Sequence, residues 1–240
     1  VTRASVSLSA LTGRLIRAHT AQARRRPLLV AFGWVGLACL IAAIWIDRPL
    51  ALMLKAQVQG DWKGFWSIAT DVGEGLIWYL LAVVMLVRCQ MGMTATVMDD
   101  VWTRWRDEAR VWLVYLAALA GTGLLVTLIK HGVGRLRPVW LFREDLYGVA
   151  PLSFQSAANS FPSGHSQTIW VVMALLAMIY PRHWPTFVAV GVMVAASRLF
   201  VTVHYLSDVL MGSFIGIAGA VLAARWAARR GWSLRLGAPR

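Results

Sequence analysis

A 240-residue chain that is 58% apolar and only 15% charged lies outside the range of ordinary soluble domains, where about 45–50% apolar is usual. Its net charge of +13, from 24 Lys and Arg against 11 Asp and Glu, would suggest a nucleic-acid partner in a soluble protein. Here the charge falls between long apolar runs, which excludes nucleic acid and points to membrane topology and anionic lipid surfaces.

A span needs about 20 apolar residues to cross about 30 Å of hydrocarbon. Six spans would take about half of the chain, so it reads as one all-α polytopic membrane protein, six transmembrane helices in one bundle. Residues 1–26 form a basic N-tail with Arg3, Arg14, Arg17 and the run Arg24, Arg25, Arg26. Residues 27–46 exceed the core of about 7–15 residues of a signal peptide and read as the first span. Residues 47–74 mix charge with Trp62, Phe65 and Trp66, as an interfacial helix would. The second span runs from 76 to about 91, a polar link follows over 94–110, and residues 111–129 are the third span. After a long polar connection over 130–161 come a fourth span over 162–180, a proline-bounded turn over 181–185, a fifth from 186 to about 200 and a sixth from 204 to about 227. Residues 228–240 are a basic C-tail, leaving 27–227 as the six-span domain. Cys39 and Cys89 lie in or beside apolar runs and read as buried thiols. Gly212, Gly216 and Gly219 suit close helix packing.

The N-tail, the 88–110 link, the 181–185 turn and the C-tail hold most of the basic residues. The positive-inside rule therefore places both termini in the cytoplasm, and the 130–161 loop and the start of the sixth span outside. Most of the 13 tryptophans fall near span ends, as interfacial anchors do.

Three stretches meet on that outer side: Lys130 to Pro138, Ser160 to His165, and Ser197 to Asp208. In the last, a helix over 204–208 would put His204 and Asp208 on one face a turn apart. The carboxylate would take one ring N–H and leave the other nitrogen as base, nucleophile or metal ligand. Lys130, Arg137 and Arg198 supply fixed cations, His165 a second imidazole and Ser163 a hydroxyl. Gly164 admits an anion to the backbone N–H groups of a helix start, with Pro162 in its first turn. Such donors aimed at one point fit a phosphoryl group, and two histidines allow attack on phosphorus by one and protonation of the leaving oxygen by the other. Taken alone, Lys130 and Arg137 read as snorkelling residues. Arg198 inside an apolar run does not, because a charge there usually faces the bundle interior. His131, Arg135, Arg143 and His183 read as structural or interfacial.

These stretches resemble the three signature motifs of the type 2 phosphatidic acid phosphatases: KxxxxxxRP in Lys130 to Pro138, PSGH in Pro162 to His165, and SRxxxxxHxxxD in Ser197 to Asp208. Every motif position matches. The resemblance implies that His204 forms a phosphohistidine, oriented by Asp208, and that His165 protonates the leaving group. Lys130, Arg137, Ser163, Gly164 and Arg198 would then hold the phosphate. It implies no metal or other cofactor. The expected activity is hydrolysis of a phosphomonoester or diphosphate of a lipid at the outer leaflet of a bacterial-type inner (plasma) membrane. The candidate substrates are phosphatidylglycerol phosphate, phosphatidic acid, undecaprenyl diphosphate and lipid A. A lipid phosphotransferase and a non-enzymatic anion-binding or transport protein are the alternatives; retention of both histidines and Asp208 speaks against the latter. Trp140, Phe142, Glu144, Asp145 and Tyr147, with Trp62, Trp66, Asp71 and Glu74, are placed to line the headgroup entrance.

Overall fold

Each of the six apolar segments folds as a helix. The computed structural model describes residues 20, 22–153 and 156–235; most of the basic N-tail and residues 236–240 of the C-tail lie outside them. The order is α1 (Pro27–Ile41), a π-helical turn (Ala42–Ile46), α2 (Asp47–Gln57), α3 (Gly60–Asp71), α4 (Gly75–Ala95), α5 (Asp99–Val133), α6 (Pro138–Glu144), α7 (Gly164–Ile179), α8 (Trp184–Phe200) and α9 (Leu206–Arg229). Among the described residues, β-pairing is limited to an isolated bridge between Arg135 and Val149. The chain is an all-α helical membrane protein with four segments long and apolar enough to span: Pro27–Gln57, Gly60–Ala95, Asp99–Val133 and Leu206–Arg229. With 16 and 17 residues, α7 and α8 fall short of about 20.

Several boundaries differ from the sequence reading, each for a local reason. The first helix does not stop at Ile46 but continues through the π turn into α2. Pro49 has no N–H to offer and its ring crowds the carbonyl four residues back, at Trp45; the wider π turn lies at that point. Residues 47–74 are thus a continuation of the first helix, then α3. The 94–110 link is largely helical as well, because α5 starts at Asp99. Asp99 and Asp100 favour the first turn, and Arg104–Asp100 and Arg110–Asp107 pair along it at 3.8 and 3.0 Å. Pro162 stands before the N-cap Ser163 rather than in the first turn of α7. The last helix begins at Leu206, so His204 lies in the preceding loop.

The buried centre is α7, which packs on α9, α8 and α5. Its Ile169, Val171, Val172 and Leu175 meet Tyr115 and Leu119 of α5, Val194 of α8 and Ala220 of α9. A Cβ on Gly212 or Gly216 of α9 would collide with the α7 backbone, and one on Gly219 with Thr122 of α5, so these glycines set the close approach of the three helices. Outward faces are apolar: Leu29, Phe32, Trp34 and Trp45 of the first helix, Leu80 and Val84 of α4, and Leu124 and Leu128 of α5 are exposed, as suits contact with lipid. Cys39 and Cys89 are free and buried.

Candidate active site

Three chain reversals at one end of the bundle build the site. The first follows α5, which ends at Gly134 in the left-handed conformation with φ 59°. A Cβ there would collide with the Ala150 carbonyl, so only glycine fits. Beyond it Ser160 N donates to Arg135 O at 2.9 Å and Arg137 N to Ala157 O at 2.9 Å, which lays the 157–160 segment along the first motif. Asn159 then serves both motif cations: its carbonyl accepts from Lys130 Nζ at 2.7 Å, and its Oδ1 from Arg137 Nε at 3.1 Å.

The second reversal leads into α7. Ser163 is its N-cap and fully buried; its Oγ accepts from Ser166 N at 3.4 Å and from Ser166 Oγ at 3.0 Å. The hydroxyl is thus engaged in capping. The N–H groups of Gly164 and His165 stand at the open helix end, where anions are favoured. Lys130 lies against Gly164, and His165 against Gly73 in the turn between α3 and α4.

The third reversal joins α8 to α9. Arg198 O accepts from both Val203 N and His204 N at 3.3 Å, which folds His204 back over Arg198. Arg198 is buried; its Nη1 donates to Thr70 Oγ1 of α3, while its Nε has no partner among the described residues. A buried donor without a partner is costly, and an anion in the site would satisfy it.

At the centre Asp208 is fully buried. Its Oδ2 accepts from Ser160 Oγ at 2.5 Å and Tyr205 N at 2.9 Å, and faces His204 Nδ1 at 3.4 Å. A carboxylate only accepts, so Nδ1 carries the proton and Nε2 is the free nitrogen. The contact expected for His204 and Asp208 is made, but across a helix start, with Asp208 capping Tyr205. Ser163 N donates to Asp208 O at 2.9 Å, locking the second motif to the third. Burial pushes the His204 imidazole down to about 3 despite the Asp208 carboxylate, so the ring is neutral with a free lone pair. Burial also lowers the Arg137 guanidinium. Lys130 and Arg198 each lie within electrostatic reach of Arg137.

Lys130, Arg137, Ser163, Gly164, His165, Arg198, His204 and Asp208 are all brought to this end of the bundle. Arg135, read from sequence as structural or interfacial, is not interfacial. It is buried, donates to Asp208 Oδ1 at 2.6 Å and to Asp47 Oδ2 at 2.8 Å, and lies over the rings of Tyr205 and Tyr147. Asp47, Thr70, Asn159, Ser160 and Ser207 were also missed. Asp47 directly follows the apolar run that ends at Ile46, where a carboxylate reads as the polar end of a span, so the sequence gives no signal that it is buried. Of the residues expected at a headgroup entrance, Tyr147 instead turns inward, accepting from Arg135 and donating to Ala43 O at 2.6 Å. Asp145 pairs with Arg48, and Trp66 stacks on Phe200. Among the described residues no group of three or more His, Cys, Asp and Glu is placed to hold a metal ion.

The sequence pattern of the PAP2 superfamily matches residues 111–232, just over half of the chain. A lipid A 1-phosphatase of Rhizobium johnstonii is 37% identical over 115 residues, covering 48% of this chain and 47% of that protein. Phosphatidylglycerophosphatase B of Bacillus subtilis is 30% identical over 116 residues, covering 44% and 52%. The chain therefore spans about half the length of these relatives. The crystal structure of a transmembrane PAP2-type phosphatidylglycerolphosphate phosphatase from Bacillus subtilis has the same fold, with a TM-score of 0.59 at 21% identity over 81% of this chain and 94% of that one. The chain belongs to the PAP2 superfamily.

Proposed function

We propose that this PAP2 superfamily member is a lipid phosphatase that hydrolyses a phosphomonoester or diphosphate of a membrane lipid through a phosphohistidine on His204. The observation that carries the reading is a neutral His204 with Nδ1 held toward Asp208 and Nε2 free, and with Lys130 and Arg198 within electrostatic reach. In this reading His204 Nε2 attacks the terminal phosphorus, and the bond from that phosphorus to the leaving oxygen breaks: the lipid ester oxygen of a monoester or the bridging oxygen of a diphosphate. His165 gives its proton to that oxygen, then takes one from the water that attacks the phosphohistidine, releasing inorganic phosphate. The three cations and the N–H groups of Gly164 and His165 stabilise the charge spread over the equatorial oxygens, with Ser163 shaping the helix end they occupy. No metal is needed, because side-chain cations take its part. Six membrane crossings, with α7 and α8 completing the bundle, put both termini in the cytoplasm and the site at the outer leaflet; the arginine distribution supports this.

The names of the relatives make lipid A the first substrate to test and phosphatidylglycerol phosphate the second. The purified protein in detergent is given lipid A, phosphatidylglycerol phosphate, phosphatidic acid and undecaprenyl diphosphate, with no acceptor lipid. Release of inorganic phosphate from at least one, lost in His204→Ala, is the expected result. Loss of phosphate from the donor lipid only when an acceptor lipid is added, with the phosphoryl group recovered on the acceptor and not as inorganic phosphate, would replace hydrolysis by phosphotransfer. Phosphate binding without turnover of any of the four would leave an anion-binding protein.

A further inference from the structure

Among the described residues, Arg135 is the one buried cation at this end of the bundle that the mechanism above does not use. Its guanidinium sits between two carboxylates. Nη1 donates to Asp208 Oδ1 at 2.6 Å and to Ser207 Oγ at 2.5 Å; Nη2 donates to Asp47 Oδ2 at 2.8 Å and to Tyr147 OH at 2.7 Å. Asp47 closes the ring by accepting from Ser207 N at 3.1 Å and Ser207 Oγ at 2.5 Å. Both carboxylates are buried. The ring joins the start of α2, the turn after α5 and the first turn of α9.

We infer that Arg135, clamped by Asp47, is a positioning residue that fixes the Asp208 carboxylate, so that one oxygen is spent on the guanidinium and the other is presented to His204. The inference rests on the reading of His204 and Asp208 as the reacting pair. Two features point to position rather than to phosphate binding. All the donor groups of Arg135 that the ring employs are turned toward Asp47, Asp208, Ser207 and Tyr147, and its ring neighbours Tyr147 and Tyr205 cover its face. A phosphate gathered by Lys130, Arg137 and Arg198 finds the four Nη–H donors of Arg135 already engaged. The charge balance also has a function. Asp47, Arg135 and Asp208 together carry one negative charge, which supports the imidazolium-like charge that His204 gains on taking phosphorus. Without Arg135 the two buried carboxylates that it bridges have no cation between them, and like charges at that range drive the pair apart or neutralise one of them. Either outcome removes the group that orients His204. Other groups within reach of Asp208 are Lys130, Arg137, Cys39, Tyr147 and Tyr205; none of them bridges Asp208 and Asp47.

The test uses the full chain in detergent, the fastest substrate of the four-lipid panel, and inhibition by inorganic phosphate as the probe of phosphate binding. Arg135→Gln is expected to lower kcat by roughly 10- to 100-fold, the range of coupled neighbouring groups, while KM and phosphate affinity stay within about threefold of wild type. Adding Asp47→Asn restores the net charge around Asp208, so the double variant is expected to recover about tenfold of the lost kcat or the whole of a smaller loss. A group that only supports the fold would change the fraction of folded, phosphate-binding protein and its melting temperature, and leave kcat per phosphate-binding site unchanged in both variants. A kcat for Arg135→Gln within about threefold of wild type, a loss confined to KM and phosphate affinity, or no recovery in the folded double variant each overturns the inference. Should Arg135→Gln not purify as a folded protein, Arg135→Lys takes its place. An ammonium cannot hold two carboxylates in the planar, forked way a guanidinium does, so kcat should fall about tenfold with phosphate affinity kept; an unchanged kcat or weakened phosphate binding overturns the inference there too. His204→Ala is run alongside. If it retains turnover, the reading of the site has failed; if it is inactive and the Arg135 variants behave as wild type, only the inference on Arg135 has failed.

Discussion

Asp208→Asn looks conservative from the sequence, since an amide keeps the shape and loses only charge. The structure makes it disruptive. Both carboxylate oxygens accept: Oδ1 from Arg135 Nη1 at 2.6 Å, and Oδ2 from Ser160 Oγ at 2.5 Å and Tyr205 N at 2.9 Å, with His204 Nδ1 at 3.4 Å. An asparagine has one acceptor and one NH₂ donor. If its oxygen faces Tyr205 N, its NH₂ points at the Arg135 guanidinium. If it is flipped, the NH₂ points at Tyr205 N–H and at the His204 Nδ1–H. At least one donor–donor conflict remains in either rotamer, and the ion pair with Arg135 is broken. Removing one partner of a buried pair costs about 3–5 kcal/mol. At about 2–4 °C per kcal/mol for a chain of this size, the thermal midpoint in detergent should fall by about 10 °C. Activity should fall by about 10³–10⁴-fold, because the amide also fails to hold the His204 tautomer and its developing charge. The measurement is thermal unfolding of wild type and Asp208→Asn in the same detergent, with phosphate release from the best lipid substrate. A midpoint within about 2 °C of wild type would show that the network around Asp208 is not held as described, since that shift is worth no more than about 1 kcal/mol.

Three further outcomes are expected. Phosphate release should survive EDTA, because in the proposed mechanism Lys130, Arg137 and Arg198 supply the cations that a metal would otherwise provide; loss on chelation with recovery on adding Mg²⁺ or Zn²⁺ would count against the mechanism. His165→Ala should slow turnover of a lipid phosphate by about 10²–10⁴-fold and be partly rescued on an aryl phosphate, whose leaving group needs little protonation, whereas His204→Ala should be inactive on both. The His204 imidazole is pushed below its ordinary value, to about 3. Between that value and about 6.5 the unfolded chain binds a proton that the folded one refuses, so stability is full above about pH 6.5 and falls as pH drops; thermal midpoints of His204→Gln should show a flatter acid limb than wild type, and equal slopes would refute the burial argument.

The spans could be read in the sequence because apolar runs are local, and the site cations and histidines because their spacing within each motif is local. What could not be read is what the fold joins across distance. Arg135 stands two residues before Arg137 in a basic stretch at a helix end, where an arginine ordinarily reaches for the membrane surface. Only the left-handed turn at Gly134, where the Ala150 carbonyl leaves no room for a Cβ, sends it inward to Asp47, 88 positions away in sequence. Asp47 itself reads as the polar end of a span until the π turn before Pro49 carries the helix onward and turns that carboxylate into the bundle. Asn159 and Ser160 belong to a loop whose course is set by hydrogen bonds to Arg135 and Arg137, so their roles follow from the same turn. Polarity misled in the opposite direction over residues 99–110, where charge suggested a loop but lies on a helix with its own ion pairs. Four of the motif residues have a partner that their own motif does not contain: Lys130 and Arg137 have Asn159, Arg198 has Thr70, and Asp208 has Arg135 and Ser160. The motif spacing therefore specifies which groups can react, and these partners, drawn from α3, the 157–160 segment and the turn after α5, specify where they stand.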